Sequence, residues 1–398
     1  MMDIFEKIEC SDRMERVRAA KMADLYPYFV PLEGTEGTEV TVNGRTVIMI
    51  GSNNYLGLTT HPKVRAAAKE AVDIYGTSCT GSRYLNGTLR LHRELEERLA
   101  AFVGKEAAVV FSTGMQANLG AISSIVGPHD YVILDKENHA SIVDGVRLSM
   151  GKMKRFRHND MAHLERILAT IPHDSGKLVV VDGVFSMGGD ITPLDEVVPL
   201  CQKYNARLYV DDAHSLGVLG GGRGTAVHFG LTDEVDLIMG TFSKSFASIG
   251  GFIAGDADVV NYIQHHARAL IFSASLPAPN LMAAMAALEI METEPEHVEQ
   301  LWENGNYMLR CLNELGFNTG STETPIIPII IGDDNPTFLT WKLLFERGVY
   351  ANPVVTPGVP PGQSLLRTSY MATHTREQLD RALEIIATTG RQLGLIPA

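Results

Sequence analysis

Cysteine is scarce in this sequence, and the cysteines present are far apart. They are Cys10, Cys79, Cys201 and Cys311, and none belongs to a Cys-x-x-Cys pair. This spacing indicates neither a zinc cluster nor a disulfide framework, so we predict no metal ligands and expect reduced thiols in the cytoplasm. The N-terminal segment is charged and has no apolar centre, which predicts that no secretory signal is present.

The sequence also lacks an excess of basic residues and any long apolar run. Lysine and arginine total 34 against 47 aspartates and glutamates, giving a formal net charge of -13. Because a nucleic-acid binder needs a basic face, this balance argues against nucleic acid as a partner. It also disfavours anionic lipid, so we expect at most a weak peripheral membrane contact. The longest charge-poor stretch, 269–288, contains prolines, and its later part fits a buried helix better than a membrane span.

Short apolar runs alternate with helix-like segments along the middle of the chain. Near-continuous apolar strands separated by helices indicate a mainly parallel sheet sandwiched by helices. We therefore predict an α/β fold with an N-terminal arm over 1–55, a large domain over 56–292 and a smaller C-terminal α+β domain over 293–398. The predicted strands of the large domain are 107–111, 131–135, 177–182, 207–211 and 235–239.

A single lysine, Lys244, stands among small hydroxyl residues directly after an apolar run. The segments 237–240 and 251–255 indicate short buried strands, which places this lysine in a tight turn at their ends. Most lysines are solvated surface charges. However, loops at strand ends carry the chemistry of α/β proteins, and a partly buried lysine loses its charge and becomes nucleophilic. Lys244 is therefore a candidate for covalent attachment to a carbonyl group.

Asp211, Asp212 and His214 come at the end of another predicted strand. Such residues could simply cap a following helix. Their combination with Lys244 at the end of a neighbouring strand favours a cofactor site. Pyridoxal phosphate (PLP) needs an aspartate beside its ring nitrogen and a lysine on its aldehyde.

Other segments could complete such a site. Gly114 follows the strand 107–111 and opens a helix whose free N–H groups and dipole favour a phosphate. His139 follows the strand 131–135, where it could stack on a cofactor ring, although a lone histidine is more often an ordinary polar residue. Arg367 stands in an apolar segment and needs an anionic partner, which is either a substrate carboxylate or a structural salt bridge.

These segments, in this order, resemble the α-oxoamine synthases, a family of PLP enzymes of fold type I. The resemblance covers nearly the whole chain and is highly specific. It is carried by Gly51-Ser-Asn-Asn-Tyr-Leu-Gly-Leu, Gly81-Ser-Arg-Tyr-Leu-Asn-Gly-Thr, Asn138-His-Ala-Ser-Ile, Asp182-Gly-Val-Phe-Ser-Met-Gly-Gly-Asp, Val210-Asp-Asp-Ala-His-Ser-Leu-Gly, Gly240-Thr-Phe-Ser-Lys, Phe272-Ser-Ala-Ser-Leu-Pro and Leu366-Arg.

The resemblance implies PLP as the cofactor, with roles for particular residues. Lys244 is implied to hold PLP covalently and to be catalytic, together with Asp211 beside the ring nitrogen and His139 stacked on the ring. Ser186 and His214 are implied to contact the ring hydroxyl side. The implied phosphate contacts are Gly114, Met115 and Thr241, with Ser273 from the neighbouring subunit, and the implied contacts to the substrate carboxylate are Asn53, His139 and Arg367. The match at Ser273 further implies a homodimer with shared active sites.

Within the family, the segments 79–88, 140–149, 158–161 and 236–245 look most like those of the soluble bacterial serine palmitoyltransferases. This implies condensation of L-serine with a long-chain acyl-CoA, palmitoyl-CoA, to 3-oxosphinganine, the first step of sphingolipid synthesis. One alternative is a sister enzyme, similar to 8-amino-7-oxononanoate synthase or glycine C-acetyltransferase, that uses glycine or alanine and a different acyl thioester. An aminotransferase-like enzyme without an acyl donor and a non-catalytic protein of the same fold are the others.

Two positions depart from the family pattern. Met115 stands where many relatives have an aromatic residue, and Gly188 stands where an acidic residue is common. Neither change removes a catalytic group, so we expect only local differences in packing.

Overall fold

The computed structural model describes residues 3–35 and 37–397 as alternating strands and helices. Each of the predicted strands is present, and the last of them lies two residues further along the chain than predicted, at 237–241. The strands are β1 (Gly34–Thr35), β2 (Glu39–Val42), β3 (Arg45–Met49), β4 (Ala107–Phe111), β5 (Tyr131–Asp135), β6 (Lys152–Phe156), β7 (Lys177–Asp182), β8 (Arg207–Asp211), β9 (Leu237–Thr241), β10 (Gly251–Gly255), β11 (Ile326–Gly332), β12 (Val349–Tyr350), β13 (Asn352–Val354) and β14 (Ser364–Ser369).

Helices connect and cover these strands. The helix predicted in the charge-poor stretch begins at Ala278 and is buried along much of its length. Among the described residues, no helix combines the length and the apolar character needed to cross a membrane. The α-helices are α1 (Ile4–Glu9), α2 (Asp12–Met22), α3 (Pro62–Tyr75), α4 (Arg90–Val103), α5 (Gly114–Ile125), α6 (Ala140–Leu148), α7 (Met161–Ala169), α8 (Leu194–Lys203), α9 (Thr225–Phe229), α10 (Ala257–His266), α11 (Arg268–Ile271), α12 (Ala278–Thr293), α13 (Glu296–Glu314), α14 (Asp334–Glu346) and α15 (Arg376–Gln392).

The central sheet has seven strands in the order β4-β10-β9-β8-β7-β5-β6. The strands from β9 to β6 pair in parallel, and β10 runs antiparallel to both β9 and β4. The prediction of a mainly parallel sheet is therefore confirmed. The carboxyl ends of β4, β5, β7, β8 and β9 meet at one edge, where open α/β sheets bind their ligands.

Successive residues of each central strand enter different apolar clusters. In β4, Ala108 and Val110 belong to one buried cluster, and Val109 and Phe111 belong to another. Because side chains alternate between the faces of a strand, both faces of the sheet are covered. This double burial explains why the strands appear in the sequence as continuous apolar runs.

Two smaller sheets involve the ends of the chain. The first has the order β1-β2-β3-β12, and its last strand pairs in parallel with β3. The second has the order β11-β14-β13 and is antiparallel. A separate buried cluster that includes Ile50, Ile327 and Leu366 lies in this part of the molecule. The division into an arm, a large domain and a small domain stays a prediction.

Candidate active site

A cavity of about 310 Å³ opens at the carboxyl edge of the central sheet. It collects side chains from the ends of several strands and from the first residues of the helices that follow them. The predicted site residues that line it are Gly114, Met115, His139, Ser186, Asp211, His214, Thr241 and Lys244. Asn53, Ser273 and Arg367 do not line this cavity.

The loop between β9 and β10 places Lys244 in the cavity wall. The N–H of Phe242 donates to the carbonyl of Gly250 at 2.9 Å, which closes the loop, and the N–H of Ala247 donates to the carbonyl of Lys244 at 2.9 Å. Ala247 has φ of 53°, in the left-handed region that a residue with a side chain rarely adopts. Such strain persists only where surrounding contacts fix the backbone, so the lysine is held in one place.

The cavity changes the protonation of Lys244. Burial lowers its pKa to about 8, and the nearby guanidinium of Arg367 acts in the same direction. The carboxylates of Asp211 and Asp182 oppose this shift but do not cancel it. Since an ordinary lysine has a pKa near 10.4, a much larger fraction of this amine is neutral and nucleophilic near neutral pH.

Asp211, the last residue of β8, is buried opposite the lysine and is held by directed hydrogen bonds. The amide of Asn118 donates to its Oδ2 at 2.7 Å, and the N–H of Ala213 donates to its Oδ1 at 3.0 Å. Asn118 also donates to the hydroxyl of Ser141 at 2.8 Å and accepts from the hydroxyl of Tyr209 at 2.6 Å. A carboxylate oriented in this way suits a protonated ring nitrogen, as PLP requires.

Asp182 is a second buried carboxylate beside the cavity. Its carboxylate accepts from the N–H of His139 at 3.1 Å, which ties the start of α6 to the end of β7. Burial and the charge of Asp211 raise the pKa of Asp182 well above its ordinary value. The Nδ1 atom of His139 lies 2.7 Å from the hydroxyl of Ser141, so two contacts orient this histidine in the wall.

The first turn of α5 provides a cradle that fits a phosphate. Thr113 caps the helix by accepting from the N–H of Gln116 at 3.1 Å. A Cβ atom on Gly114 would lie 2.7 Å from Oγ1 of Thr241, so only glycine allows this close approach. The free N–H groups and dipole of the helix favour an anion here. The amide of Gln116 donates to the hydroxyl of Ser273 at 2.8 Å, which places Ser273 near the cradle although it does not line the cavity.

The buried hydroxyl of Tyr55 contacts three of the predicted site residues. It lies 2.6 Å from Nδ1 of His214 and 3.4 Å from Oδ1 of Asn53, and it accepts from Nη2 of Arg367 at 3.2 Å. Burial lowers the pKa of His214 well below its ordinary value, and the charges of Lys244 and Arg367 add to this effect. His214 is therefore neutral near pH 7, and a hydrogen bond can join its Nδ1 atom to the hydroxyl of Tyr55.

Arg367 is buried. Of its two possible partners, a substrate carboxylate and a structural salt bridge, the salt bridge is not found among the described residues. Its Nε donates to the carbonyl of Ser186 at 2.5 Å, and its Nη1 donates to the hydroxyl of Ser369 at 3.4 Å. Within 3–35 and 37–397, no carboxylate lies within salt-bridge distance of this guanidinium. Its charge is therefore available to an anion supplied from outside the chain.

The sequence analysis did not single out Tyr55, Asn118, Ser141 or Asp182. Tyr55, Ser141 and Asp182 lie inside the segments that carry the family resemblance, but these residue types at those positions also fit ordinary packing and capping. Asn118 is four residues after Gly114 in α5, so helical periodicity places both on one face. The four-residue spacing from Gly114 was the sequence feature from which a place for Asn118 in the site could have been predicted.

His158 lies beside the cavity and bridges two carboxylates. Its Nδ1 lies 3.0 Å from Asp135 and its Nε2 lies 2.7 Å from Asp190, while its ring packs edge to face against Phe185. Burial lowers the pKa of His158, but the hydrogen bonds and charges of Asp135 and Asp190 outweigh it and raise the pKa to about 10. A charged His158 therefore stabilises the segment that carries Ser186.

We expect His158→Gln to reduce the free energy of unfolding by about 1–3 kcal/mol at pH 7, because two buried carboxylates lose their charged donor. The raised pKa makes this contribution largest below about pH 6.5, and it is lost as pH rises toward 10. Urea unfolding of both proteins between pH 6 and 10 measures the difference. The exposed His173, changed to Gln, is the control. A pH-independent difference for the His158 variant would contradict the charged bridge.

Gly188, one of the departures from the family pattern, lies next to this bridge. A Cβ atom at Gly188 would collide with Oδ1 of Asp190. The other carboxylate oxygen of Asp190 is held by His158 and by the amide of Asn159. The glycine therefore makes room for the bridging carboxylate, which gives this departure a local packing reason.

A second cavity, of about 780 Å³, adjoins the first. His139 and Ser186 line both cavities, so they form the shared wall. Apolar side chains in its lining include Met187, Pro328, Ile330, Val359 and Leu365, and polar or charged side chains such as Lys136 and Glu137 line it too. A long apolar group can therefore lie next to the chemistry at Lys244.

Comparisons with known proteins agree with this geometry. The chain is 53% identical over 377 residues to serine palmitoyltransferase of Sphingobacterium spiritivorum, covering 94% of each chain. It is 44% identical to 8-amino-7-oxononanoate synthase of Symbiobacterium thermophilum, covering 96% of this chain and 98% of that protein. The structure of serine palmitoyltransferase from S. paucimobilis with bound PLP and myriocin has a TM-score of 0.96 at 36% identity, covering 99% of this chain and 100% of the other. The pattern of the aminotransferase class I and II family matches residues 45–386, and the chain belongs to that family.

Proposed function

We propose that this chain is a serine palmitoyltransferase that uses PLP to join L-serine to a long-chain acyl-CoA. The observation that carries the proposal is the pairing of Lys244, whose pKa is lowered to about 8, with the oriented, buried carboxylate of Asp211 across one cavity. A lysine and an aspartate in this relation are the protein groups that PLP needs. The similarity to serine palmitoyltransferases over 94% of the chain supports this choice of reaction within the family.

The residues of the cavity fit each part of the cofactor. Lys244 would hold its aldehyde carbon, Asp211 its ring nitrogen, and Gly114, Met115 and Thr241 its phosphate. His139 would form one wall, and Ser186 and His214 would contact the ring hydroxyl side. When bound, PLP withdraws electrons from the Cα atom of the amino acid and so makes its proton acidic.

Lys244 is the base in this scheme. Its free amine would take the proton from the Cα atom of L-serine, because a pKa of about 8 keeps much of the amine neutral under mildly alkaline conditions. The Cα atom then bonds to the thioester carbonyl carbon as the C–S bond breaks and CoA leaves. The bond from Cα to the serine carboxylate breaks to release carbon dioxide, and a proton replaces the carboxylate. The product is 3-oxosphinganine when the acyl donor is palmitoyl-CoA.

Arg367 is the proposed anchor for the serine carboxylate, with Asn53 and His139. Its guanidinium has no carboxylate partner in the described chain and is linked through Tyr55 to His214.

We expect Arg367→Lys to raise the KM for L-serine by about 10- to 100-fold, because a lysine cannot reproduce a bidentate contact. Steady-state kinetics with varied L-serine give this value. Arg347→Lys is the control, because Arg347 donates to Thr389 in α15 and does not line either cavity. An unchanged KM in the Arg367 variant would remove Arg367 from the carboxylate site.

The acyl chain is proposed to occupy the second cavity, where apolar side chains lie beyond the wall of His139 and Ser186.

The proposed function is tested by measuring CoA release from palmitoyl-CoA with L-serine, glycine or L-alanine. Release with L-serine, together with formation of 3-oxosphinganine, supports the proposal. Release with glycine or L-alanine alone would assign the chain to a sister reaction of the family. The absence of CoA release with all of them would contradict acyl transfer.

We further propose a homodimer in which Ser273 reaches the phosphate site of the partner copy. The family resemblance of the segment 272–277 supports this role for Ser273, although within one chain Ser273 contacts Gln116 beside that chain's own cradle. The neighbouring Phe272 is 73% exposed. Leu85 is 79% exposed, and the start of its segment is joined to the Ser273 loop by a hydrogen bond from the N–H of Ser275 to the carbonyl of Gly81. Exposed large apolar side chains on linked segments beside a site are expected at an interface between subunits.

The cellular location remains a prediction. The described cysteines are unpaired. Cytoplasmic location and a weak peripheral membrane contact are consistent with an acyl-CoA substrate, and fractionation of cells that express the chain would test both.

A further inference from the structure

Three side chains able to bind a metal meet where α3 begins and where α12 gives way to α13. They are His61, Glu294 and His297, and one ligand atom from each lies within 4.8 Å of the other two. None of them lines either of the cavities described above. The cluster is therefore separate from the residues assigned to PLP and to the substrates.

The spacing of the cluster is close to that of a zinc site. Zinc bonds to nitrogen and oxygen of about 2.0–2.1 Å at tetrahedral angles place neighbouring ligand atoms roughly 3.3–3.4 Å apart. Nε2 of His297 and Oε2 of Glu294 are 3.4 Å apart. The remaining pairs lie within 4.8 Å, so a bound ion would have to draw them closer to reach the same spacing. Two histidines and one glutamate, with water in the fourth position, are also a recurrent ligand set for zinc, and this set is typical of sites that keep one position open, whereas structural sites are usually closed by four protein ligands.

The polar atoms of the cluster have few partners in the chain itself. Nδ1 of His61 is buried without a hydrogen-bond partner, although buried polar atoms are rarely left unpaired. Within the described residues, the one ion pair of Glu294 is with His297, since the nearby Lys63 binds Glu289 instead. The side chains of His297 and Glu294 are 19% and 35% exposed, which leaves access for a metal and a water. A bound cation would neutralise Glu294 and would draw the cluster together.

The backbone fixes the segments that present these ligands. His61 immediately precedes α3, and its carbonyl accepts from the N–H of Arg65 at 3.0 Å. Glu294 caps the end of α12, with its N–H bonded to the carbonyl of Ile290 at 2.8 Å, and His297 lies in the first turn of α13. Helices α3 and α12 pack against each other. Ligands on rigid elements need little ordering when a metal binds.

We propose that His61, Glu294 and His297 bind one Zn²⁺ ion, with water as a fourth ligand. The ion links the start of α3 to the junction of α12 and α13, where the predicted large domain passes into the predicted small domain. Its role is structural, and it stabilises the junction without entering the reaction at Lys244. The proposal does not depend on the proposed function.

The test uses the untagged, full-length holoenzyme, because an affinity tag rich in histidine would itself bind metal. After dialysis against a chelator, Zn²⁺ binding is measured by titration with a competing chromophoric chelator, and Co²⁺ is added separately to record its visible absorption in place of zinc. The variants are His61→Gln and His297→Gln, with Glu294→Gln as a third that preserves the size of the side chain. His173→Gln, at an exposed histidine outside the cluster, is the matched control.

We expect one Zn²⁺ per chain in the wild-type protein and in the His173 variant, a tetrahedral Co²⁺ spectrum, and a higher Tm when Zn²⁺ is added. Each ligand variant should bind Zn²⁺ at least about 100-fold more weakly, since even loss of an outer hydrogen-bond partner costs roughly 10- to 100-fold. Loss of the Tm increase with unchanged kcat in the ligand variants supports a structural site. Zn²⁺ binding that persists in all ligand variants, or no stoichiometric binding and no tetrahedral Co²⁺ spectrum in the wild-type protein, would overturn the proposal. The wild-type spectra decide the matter even if a variant fails to fold.

Discussion

Lys244→Ala is expected to abolish both turnover and the visible absorbance of the lysine-bound cofactor. The substitution removes the covalent attachment and the amine that takes the Cα proton, so we expect turnover to fall by at least about 10⁴-fold, the upper end of the effect of a general base. CoA release and the absorbance spectrum of the purified protein measure the two losses. The lowered pKa of Lys244 gives the reason that this lysine can do both at moderate pH.

The control for this experiment is Lys105→Ala. Burial also lowers the pKa of Lys105, but its amine donates to the carbonyls of Thr232 and Val235, outside the cavity. We expect its loss to reduce stability while turnover per folded molecule and the cofactor spectrum stay near those of the wild-type protein. A Lys244 variant that retained the cofactor absorbance and full turnover would contradict the role assigned to this lysine.

Asp211→Asn is expected to reduce kcat by about 10²–10³-fold, the typical cost of removing one preorganised electrostatic contact. The amide keeps the shape of the side chain, but it cannot balance a positive charge on the cofactor ring. Asn118 fixes the orientation of Asp211 through a 2.7 Å hydrogen bond, so the substitution also changes a contact on the protein side. Steady-state kinetics with saturating L-serine and palmitoyl-CoA measure the loss, and unfolding experiments account for any change in stability.

Asp212→Asn is a stringent control because the two aspartates are adjacent. The carboxylate of Asp212 accepts from the hydroxyl of Thr225 at 2.6 Å and from the N–H of the same residue at 3.1 Å, and it does not line the cavity. Burial raises its pKa to about 6. We expect the Asp212 variant to lose about 1–3 kcal/mol of stability and to keep kcat. Equal losses of kcat in both variants would contradict the assignment of Asp211 to the ring nitrogen.

The sequence predicts the central sheet well because its strands are buried on both faces. A short, continuous apolar run such as 177–182 is typical of a strand that is buried on both faces. Strand β6 was missed because Lys152, Lys154 and Arg155 interrupt the apolar pattern. It is one of the two edge strands of the sheet, where exposed charged side chains are expected, so its sequence resembles that of a loop.

Site residues could be predicted from the sequence where the residue type itself indicates a particular chemical role. Residues whose role depends on their neighbours in the folded chain were predicted less well. Lys244 and Asp211 stand out because a lysine and an aspartate after apolar strands are unusual. Tyr55 and Asn118 act through hydrogen bonds that exist only in the folded chain, so their sequence neighbours give little warning. The same holds for His61 and His297, which are far apart in the sequence and meet only because α3 packs on α12.

The measurement that tests the central claim most directly is a visible absorbance titration of the holoenzyme with L-serine, glycine and L-alanine, without an acyl donor. It reports directly on whether an amino acid displaces Lys244 from the cofactor. We predict a spectral change that starts from the absorbance of the lysine-bound cofactor and that saturates with L-serine at lower concentration than with glycine or L-alanine; the starting absorbance is absent in the Lys244→Ala variant. No response to any of the three amino acids would contradict the assigned site, and saturation by glycine or L-alanine alone would contradict L-serine as the substrate.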